Sequence, residues 1–222
     1  MDDNSGAVNA LTLLDWRRRV HDLYAIVRAS TDPGTAHALW QQGRDDLFAH
    51  HPQAPIGRAA RENFAGLPVA SYDPRWRFEL EVDLDVERVG IEVPTGTDGI
   101  VPFERIGVVH LPGSRGDEPS GSLDVWALRS YGGGLFVPFR DRTAGRTTYG
   151  AGRYLIDTVK GADLGGEADP ETGAGWLVID FNFGYHPSCA YDPAWACPLA
   201  QPGNVLDVEV PVGEQLPDGG WY

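Results

Sequence analysis

The segment RWRFELEVDL sets Trp76, Phe78, Leu80, Val82 and Leu84 on one side of an extended chain and Arg77, Glu79, Glu81 and Asp83 on the other. A period of two with one apolar face is the mark of a half-exposed strand in an antiparallel sheet. The spacing changes to this period after Pro55. Further strands are expected at about 88–93, 100–111, 122–130, 134–141, 147–157, 175–185 and 204–212. The turn sequences PTGTDG, LPGSRGDEPSG, YGGG, TAG and GADLGGEADPETGAG separate them, and 28 glycines and 17 prolines suit that architecture better than long helices. No alternation of strand and helix is present to build a parallel sheet.

The first fifty residues read differently. Trp16, Val20, Leu23 and Val27 recur at four, three and four, which predicts an amphipathic helix over about 9–29. A second helix follows, with Thr31 or Asp32 as N-cap, Pro33 in its first turn and Pro52 beyond its end. His50 and His51 fall in its last turn, where the helix dipole favours a cation, and read as a helix end rather than a metal pair. The expected architecture is mainly β: an antiparallel β-sandwich or barrel with an N-terminal α-helical pair. Residues 1–54 would form the helical segment and 55–222 the β domain, one compact domain overall.

Charge narrows the classes of partner. The formal net charge is −14 and Lys160 is the sole lysine. Such a chain repels phosphate backbones and anionic bilayers, so neither nucleic acid nor a membrane surface is expected as a partner. The acidic start MDDNSG lacks the basic region of an export signal, and no apolar run of ~18 residues is present to span a bilayer. A cytoplasmic protein is the expectation. There, Cys189 and Cys197 would be thiols rather than a disulfide. A homo-oligomer is compatible with the sequence, and no cofactor is specified by it.

Common catalytic signatures are missing. YGAGRYL holds G-x-G, but Leu155 stands at the third glycine position, and Lys160 in TVKGAD is not part of a phosphate-binding loop. No G-x-S-x-G, S-x-x-K, H-x-H or H-E-x-x-H occurs. What remains is an unusual strand, GWLVIDFNFGYHPSCAYDPAWACP. One of its faces carries Leu177, Ile179, Phe181, Phe183 and Tyr185. The other begins with Trp176 and Val178 and then turns polar at Asp180, Asn182 and His186. In LFVPFRDRTAGRTTYGAGRYLID a hairpin is expected: a strand over 135–141, a turn at 143–145 and a return from Thr147. It would put Arg153 in line with Tyr149, Ala151 and Leu155. A buried guanidinium needs a carboxylate or an anionic ligand, and Asp141 and Asp180 are the natural partners.

FRDRTAGRTTYGAGRYL, DFNFGYHPSCAYDPAWACPL and the later N…VPVGE resemble the DUF1684 family, bacterial and archaeal proteins with no assigned function. The resemblance runs from DDLFAHHPQAPIG to Glu214. Matching positions are Phe139, Asp141, Thr143, Gly145, Thr148, Tyr149, Gly152, Arg153 and Tyr154 in the first motif. In the second they are Asp180, Asn182, Tyr185, Pro187, Cys189, Tyr191, Cys197, Pro198, Asn204 and Glu214. Gly184 replaces the usual alanine and His186 the usual asparagine, which removes His186 from any role obligatory in the family. The resemblance implies no activity.

Two readings of these residues follow. In the first, Asp141, Tyr149, Arg153, Asn182, Tyr185 and His186 line a pocket for a small anionic ligand, with Asp180 and Glu214 as candidate acid and base. In the second, Asp180 and Asn182 merely satisfy backbone groups of an irregular loop, and the protein is a non-catalytic interaction module. Cys189 and Cys197 are expected as two buried structural thiols. A zinc site made from them with His186 and a carboxylate is the minority alternative.

Overall fold

A computed structural model describes residues 5–95, 99–113, 121–195 and 197–218. The turns read from PTGTDG and LPGSRGDEPSG lie mostly outside the described residues. Helix α1 spans Ser5–Ala29 and α2 spans Pro33–His50, followed by the short α3, Arg58–Glu62, which the periodicity did not announce. Asp32 is the N-cap of α2, its carboxylate accepting from Thr35 N–H at 2.8 Å. His51 terminates the helix as its C-cap, its Nε2 3.2 Å from Asp15 Oδ2.

Eight strands follow: β1 Arg77–Asp83, β2 Gly90–Thr95, β3 Gly99–Leu111, β4 Gly121–Leu128, β5 Leu135–Phe139, β6 Arg153–Asp157, β7 Gly166–Ala168 and β8 Gly175–Asp180. They pair antiparallel in the order β6-β5-β4-β3-β1-β8-β7, with β2 on the first half of β3. A bulge between Arg105 and Gly107 interrupts the β3–β4 register, near the point where β3 passes from β2 to β1. Gly107 is required there, because a Cβ would lie 2.5 Å from Val82 and 2.8 Å from the Asp83 carbonyl. The sheet then curls. Tyr154 on β6 exchanges both backbone hydrogen bonds with Tyr185, five residues past β8, at 2.8 and 3.1 Å. The result is a half-barrel, within the sandwich-or-barrel class expected.

Inside the curl, Val109, Leu123, Val125, Val137, Phe139, Ile179 and Phe181 form the core. A second cluster joins the helical pair to the sheet: Leu23, Tyr24, Val27 and Trp40 pack on Phe103, Trp126, Phe136, Tyr154 and Phe183. Trp40 is completely buried, and its indole N–H donates to the Tyr24 hydroxyl. Truncating so large a buried side chain costs about 3–5 kcal/mol, so the helices are part of the core and not an appendage.

Three expected strands are shorter or absent. The 175–185 strand ends at Asp180, where the carboxylate accepts from Asn182 N–H and the chain enters a 3-10 turn, Phe181–Phe183. The return strand of the hairpin begins at Arg153 rather than Thr147, since Asp141 to Gly152 form compact turns. Residues 205–212 alternate buried and exposed side chains as a strand would, but they join no sheet. Single bonds hold them to the loop after β5: Leu206 N–H to Arg140 O, Arg142 N–H to Val208 O, and Val210 N–H to Asp141 Oδ2.

Candidate functional site

The polar residues singled out in the sequence divide into three groups, each built on a different junction of the fold. The first is Arg153 with Asp141. Their side chains are 0 and 1% exposed and meet at 3.2 Å. Arg153 Nη2 also donates to Val210 O at 2.9 Å, and Nη1 donates to Val212 O and to Glu214 O. Its guanidinium lies over the Phe139 ring, 4.7 Å from the centroid. Asp141 accepts from Thr143 and from Val210 N–H, and Thr143 Oγ1 sits 2.9 Å from Thr148 Oγ1. Burial pushes the Arg153 pKa down, and the Asp141 carboxylate opposes that shift. The pair ties the unpaired 205–214 segment to the half-barrel. Asn204 does the same at the other end, accepting from Trp126 Nε1–H and donating to the Asp124 and Pro138 carbonyls, all at 2.9 Å.

The second group closes the end of β8. Asp180 Oδ1 accepts from Asn182 Nδ2 at 2.7 Å, and the Tyr72 hydroxyl donates to Oδ2. Asn182 exchanges hydrogen bonds with the backbone of Asp73 at 2.8 and 2.9 Å, and its carbonyl accepts from His37 Nε2. Burial raises the Asp180 carboxyl to about 6, against the pull of Asn182. Asp180 also borders a cavity of about 80 Å³ shared with Arg28, Ser30 and Arg77. It makes its hydrogen bonds with different partners from those of Glu214.

Glu214 centres the third group and is fully buried. Arg44 Nη2 donates to Oε2 at 2.7 Å, the His186 N–H donates to Oε2 at 3.1 Å, and the Tyr191 hydroxyl donates to Oε1. Burial alone would raise this carboxyl, but Arg44, His186 and Tyr191 outweigh it and hold it at about 2. Glu214 is therefore a fixed anion at neutral pH. His186 Nε2 accepts from the Tyr149 N–H at 3.1 Å, which assigns the ring proton to Nδ1, facing Glu214 Oε1 at 3.6 Å. Among the described residues that Nδ1 has no partner within hydrogen-bond distance.

Arg44 was not among the residues singled out from the sequence. It lies in QQGRDDLF, which resembles a solvated charge run, yet its spacing of four from both Trp40 and Phe48 puts it on the apolar stripe of α2. Its guanidinium is stacked among the rings of Trp40, Phe48 and Tyr185 at 5.0–5.3 Å.

Arg44 is also in the wall of a cleft between the helical pair and the 185–195 segment. One hollow of about 70 Å³ is bounded by Trp16, Tyr24, Arg44, Phe48, Tyr185, His186 and Tyr191. A larger one of about 310 Å³ lies beside it, bounded by Asn9, Trp16, Arg17, Gln53, Lys160 and Trp195; the two share Trp16, Pro55, Lys160 and Ser188. Among the described residues the linings contain Arg17, Arg44 and Lys160 and no carboxylate. Tyr185 and His186 of the expected ligand set reach this cleft, and Tyr149 touches it through His186.

Cys189 and Cys197 are free. Cys189 is buried as expected, whereas Cys197 is only partly buried, because the loop after Tyr191 runs along the surface. Among the described residues no three His, Cys, Asp or Glu side chains gather to hold a metal ion. His186 presents Nε2 to the Tyr149 backbone instead of to the cysteines.

The fold and these groups define an antiparallel half-barrel capped by a helical pair, with a basic, aromatic-walled cleft where cap and sheet meet. The chain belongs to the family described as protein of unknown function (DUF1684), which it matches over residues 62–215. Arg17 and Arg44 lie outside that span. The solution NMR structure of an uncharacterised protein from Haloarcula marismortui is similar, with 29% identity and a TM-score of 0.56, over 82% of this chain and 92% of the other. No curated protein matches. No helix among the described residues is long and apolar enough to cross a membrane.

Proposed function

We propose that the protein binds a small organic anion with a planar apolar body in the cleft between α1, α2 and the 185–195 segment. The observation that carries this reading is the sign of the lining. In a chain of net charge −14, three cations and, among the described residues, no carboxylate line the cleft, with Glu214 and Asp157 pairing Arg44 and Lys160 from behind the wall. Trp16, Phe48, Tyr185, Tyr191 and Trp195 supply flat faces for an aromatic or conjugated body, the usual partition of a small-molecule site. Arg17 and Lys160 are the accessible charges: Arg17 is exposed, and 45% of the Lys160 side chain remains exposed although Asp157 lies 3.2 Å away. Asp157 raises the Lys160 pKa and so keeps the ammonium charged.

In this reading the anion-holding role expected of Arg153 passes to Lys160, Arg17 and Arg44, while Arg153 and Asp141 brace the C-terminal segment. Glu214 holds Arg44 in place from below. As a carboxyl held at about 2, it is a positioning group and not a proton donor at neutral pH. The test is calorimetric titration with benzoate, phenyl phosphate and indole-3-acetate, beside the neutral amides of the two carboxylic acids. Binding of at least one anion, lost with its amide and weakened tenfold or more in Lys160→Gln, is the expected result. Equal binding of acid and amide, or none by any member of the set, would refute the proposal.

A further inference from the structure

The sequence offered Arg153 two carboxylates, and the fold gives it Asp141, which leaves Asp180 without a cation. Asp180 is only 2% exposed, and among the described residues no basic side chain forms an ion pair with it. Its hydrogen-bond partners are neutral: Asn182 N–H and Nδ2 donate to Oδ1, and the Tyr72 hydroxyl donates to Oδ2 at 3.3 Å. An ionised carboxylate accepts about four hydrogen bonds, so Oδ2 keeps an open position. Burial raises the carboxyl to about 6, which still leaves it mostly ionised at neutral pH. A buried charge is ordinarily paired, and this one is not.

The cavity of about 80 Å³ that Asp180 borders is where a counter-charge can sit. It lies where the end of α1, the turn into α2 and the ends of β1 and β8 meet, and it shares no lining residue with the anion cleft. Arg77 stands directly opposite Asp180 in the β1–β8 register, so both side chains leave the sheet on the same face. Its Nη1 nevertheless turns to Glu79 at 2.9 Å. Arg28, on another wall, meets Asp163 through Nη1 at 3.0 Å. Among the described residues both guanidiniums keep their Nε–H and Nη2–H donors uncommitted. Val27, Leu164 and Phe183 add an apolar wall.

We propose that this cavity binds a small amino acid, its ammonium on Asp180, its carboxylate on Arg28 and Arg77, and its short side chain against the apolar wall. Asp180 and the two arginines bring charges of both signs into one space, which a zwitterion answers and a simple anion or amine does not. The volume sets the size, since about 80 Å³ is room for roughly five to eight water-sized groups. Glycine, alanine and β-alanine are of that size. The site stands whether or not the cleft binds an anion.

The test is a titration of the isotope-labelled full-length protein with L-alanine at neutral pH, read from the amide signals of Val178 and Phe183, which border the cavity. Alanine should shift them saturably. Propionate and ethylamine, which each lack one charged end, should bind at least about tenfold more weakly. Arg77→Gln changes a side chain that is 31% exposed, so the variant should stay folded and weaken alanine binding by about tenfold. Asp180→Asn should abolish binding; if that variant fails to fold, the two half-ligands put the same question to the wild type. No saturable shift with glycine, alanine or β-alanine would overturn the proposal. So would equal binding of propionate or ethylamine, or an affinity unchanged in Arg77→Gln.

Discussion

Replacing Glu214 with glutamine should remove a defined piece of the acid sensitivity of this fold. In the folded chain Arg44, His186 and Tyr191 outweigh burial and hold its carboxyl at about 2, against 4.5 for an ordinary glutamate. A depressed carboxyl stabilises the fold most above the unfolded value and loses that contribution as pH falls toward the folded one. The full span of about 2.5 units corresponds to about 3 kcal/mol, of which about 1.4 kcal/mol has gone by about pH 3.5. Glutamine does not titrate. The stability gap between wild type and Glu214→Gln should therefore shrink by about 1.4 kcal/mol between about pH 5.5 and about pH 3.5. At the higher pH the variant should be less stable by about 3–5 kcal/mol, because Arg44 keeps its charge in a mostly buried place without a counter-ion. Adding Arg44→Met to Glu214→Gln should recover part of that loss by removing the orphaned charge. Urea unfolding followed by tryptophan fluorescence at the two pH values measures the gap. A gap that does not change with pH would refute the assignment of Glu214 as a buried, fixed anion.

Other expectations follow from the bracing groups. Arg153→Met should cost about 3–5 kcal/mol in urea unfolding, since it leaves the Asp141 carboxylate buried and deprives three carbonyls of a donor. Gly152→Ala should cost about 3 kcal/mol, because the backbone there has φ +99° and a Cβ would lie 2.4 Å from the Phe139 carbonyl oxygen. Asn204→Ala should cost about 2 kcal/mol or more by orphaning the Trp126 indole N–H and releasing two carbonyls. A melting temperature unchanged from wild type in any of these would remove that residue from the frame.

The fold was legible wherever the hydrophobic period was clean. Trp16, Val20, Leu23 and Val27 packed as a helix stripe, and Phe78, Leu80 and Val82 packed on the core opposite the exposed Glu79 and Glu81. The period misled where burial alternates without sheet pairing. Leu206, Val210 and Val212 are buried on alternate positions, but their backbone partners are loop atoms and Pro211 has no N–H to pair. Likewise Asp180 looked like one more residue in a strand face, whereas its carboxylate captures Asn182 N–H and ends the strand. The need of Arg153 for a carboxylate was legible, but the sequence left Asp141 and Asp180 as equal partners, and the structure pairs it with Asp141. Which of the polar residues border open space was not legible, because a cleft between a helix and a distant loop leaves no local pattern. Arg44 is the instructive case. Its spacing from Trp40 and Phe48 was readable, but only Glu214, 170 residues on, explains a cation on an apolar stripe.

The claim that the cleft is an anion site is tested most directly by the indole N–H signals of the labelled protein during a benzoate titration. Trp16 and Trp195 border the cleft, while Trp126 is buried in the sheet with its N–H on Asn204. Benzoate should shift the Trp16 and Trp195 signals saturably, benzamide should not, and Trp126 should stay in place. Signals that stay fixed throughout, or that move equally with benzamide, would contradict that claim.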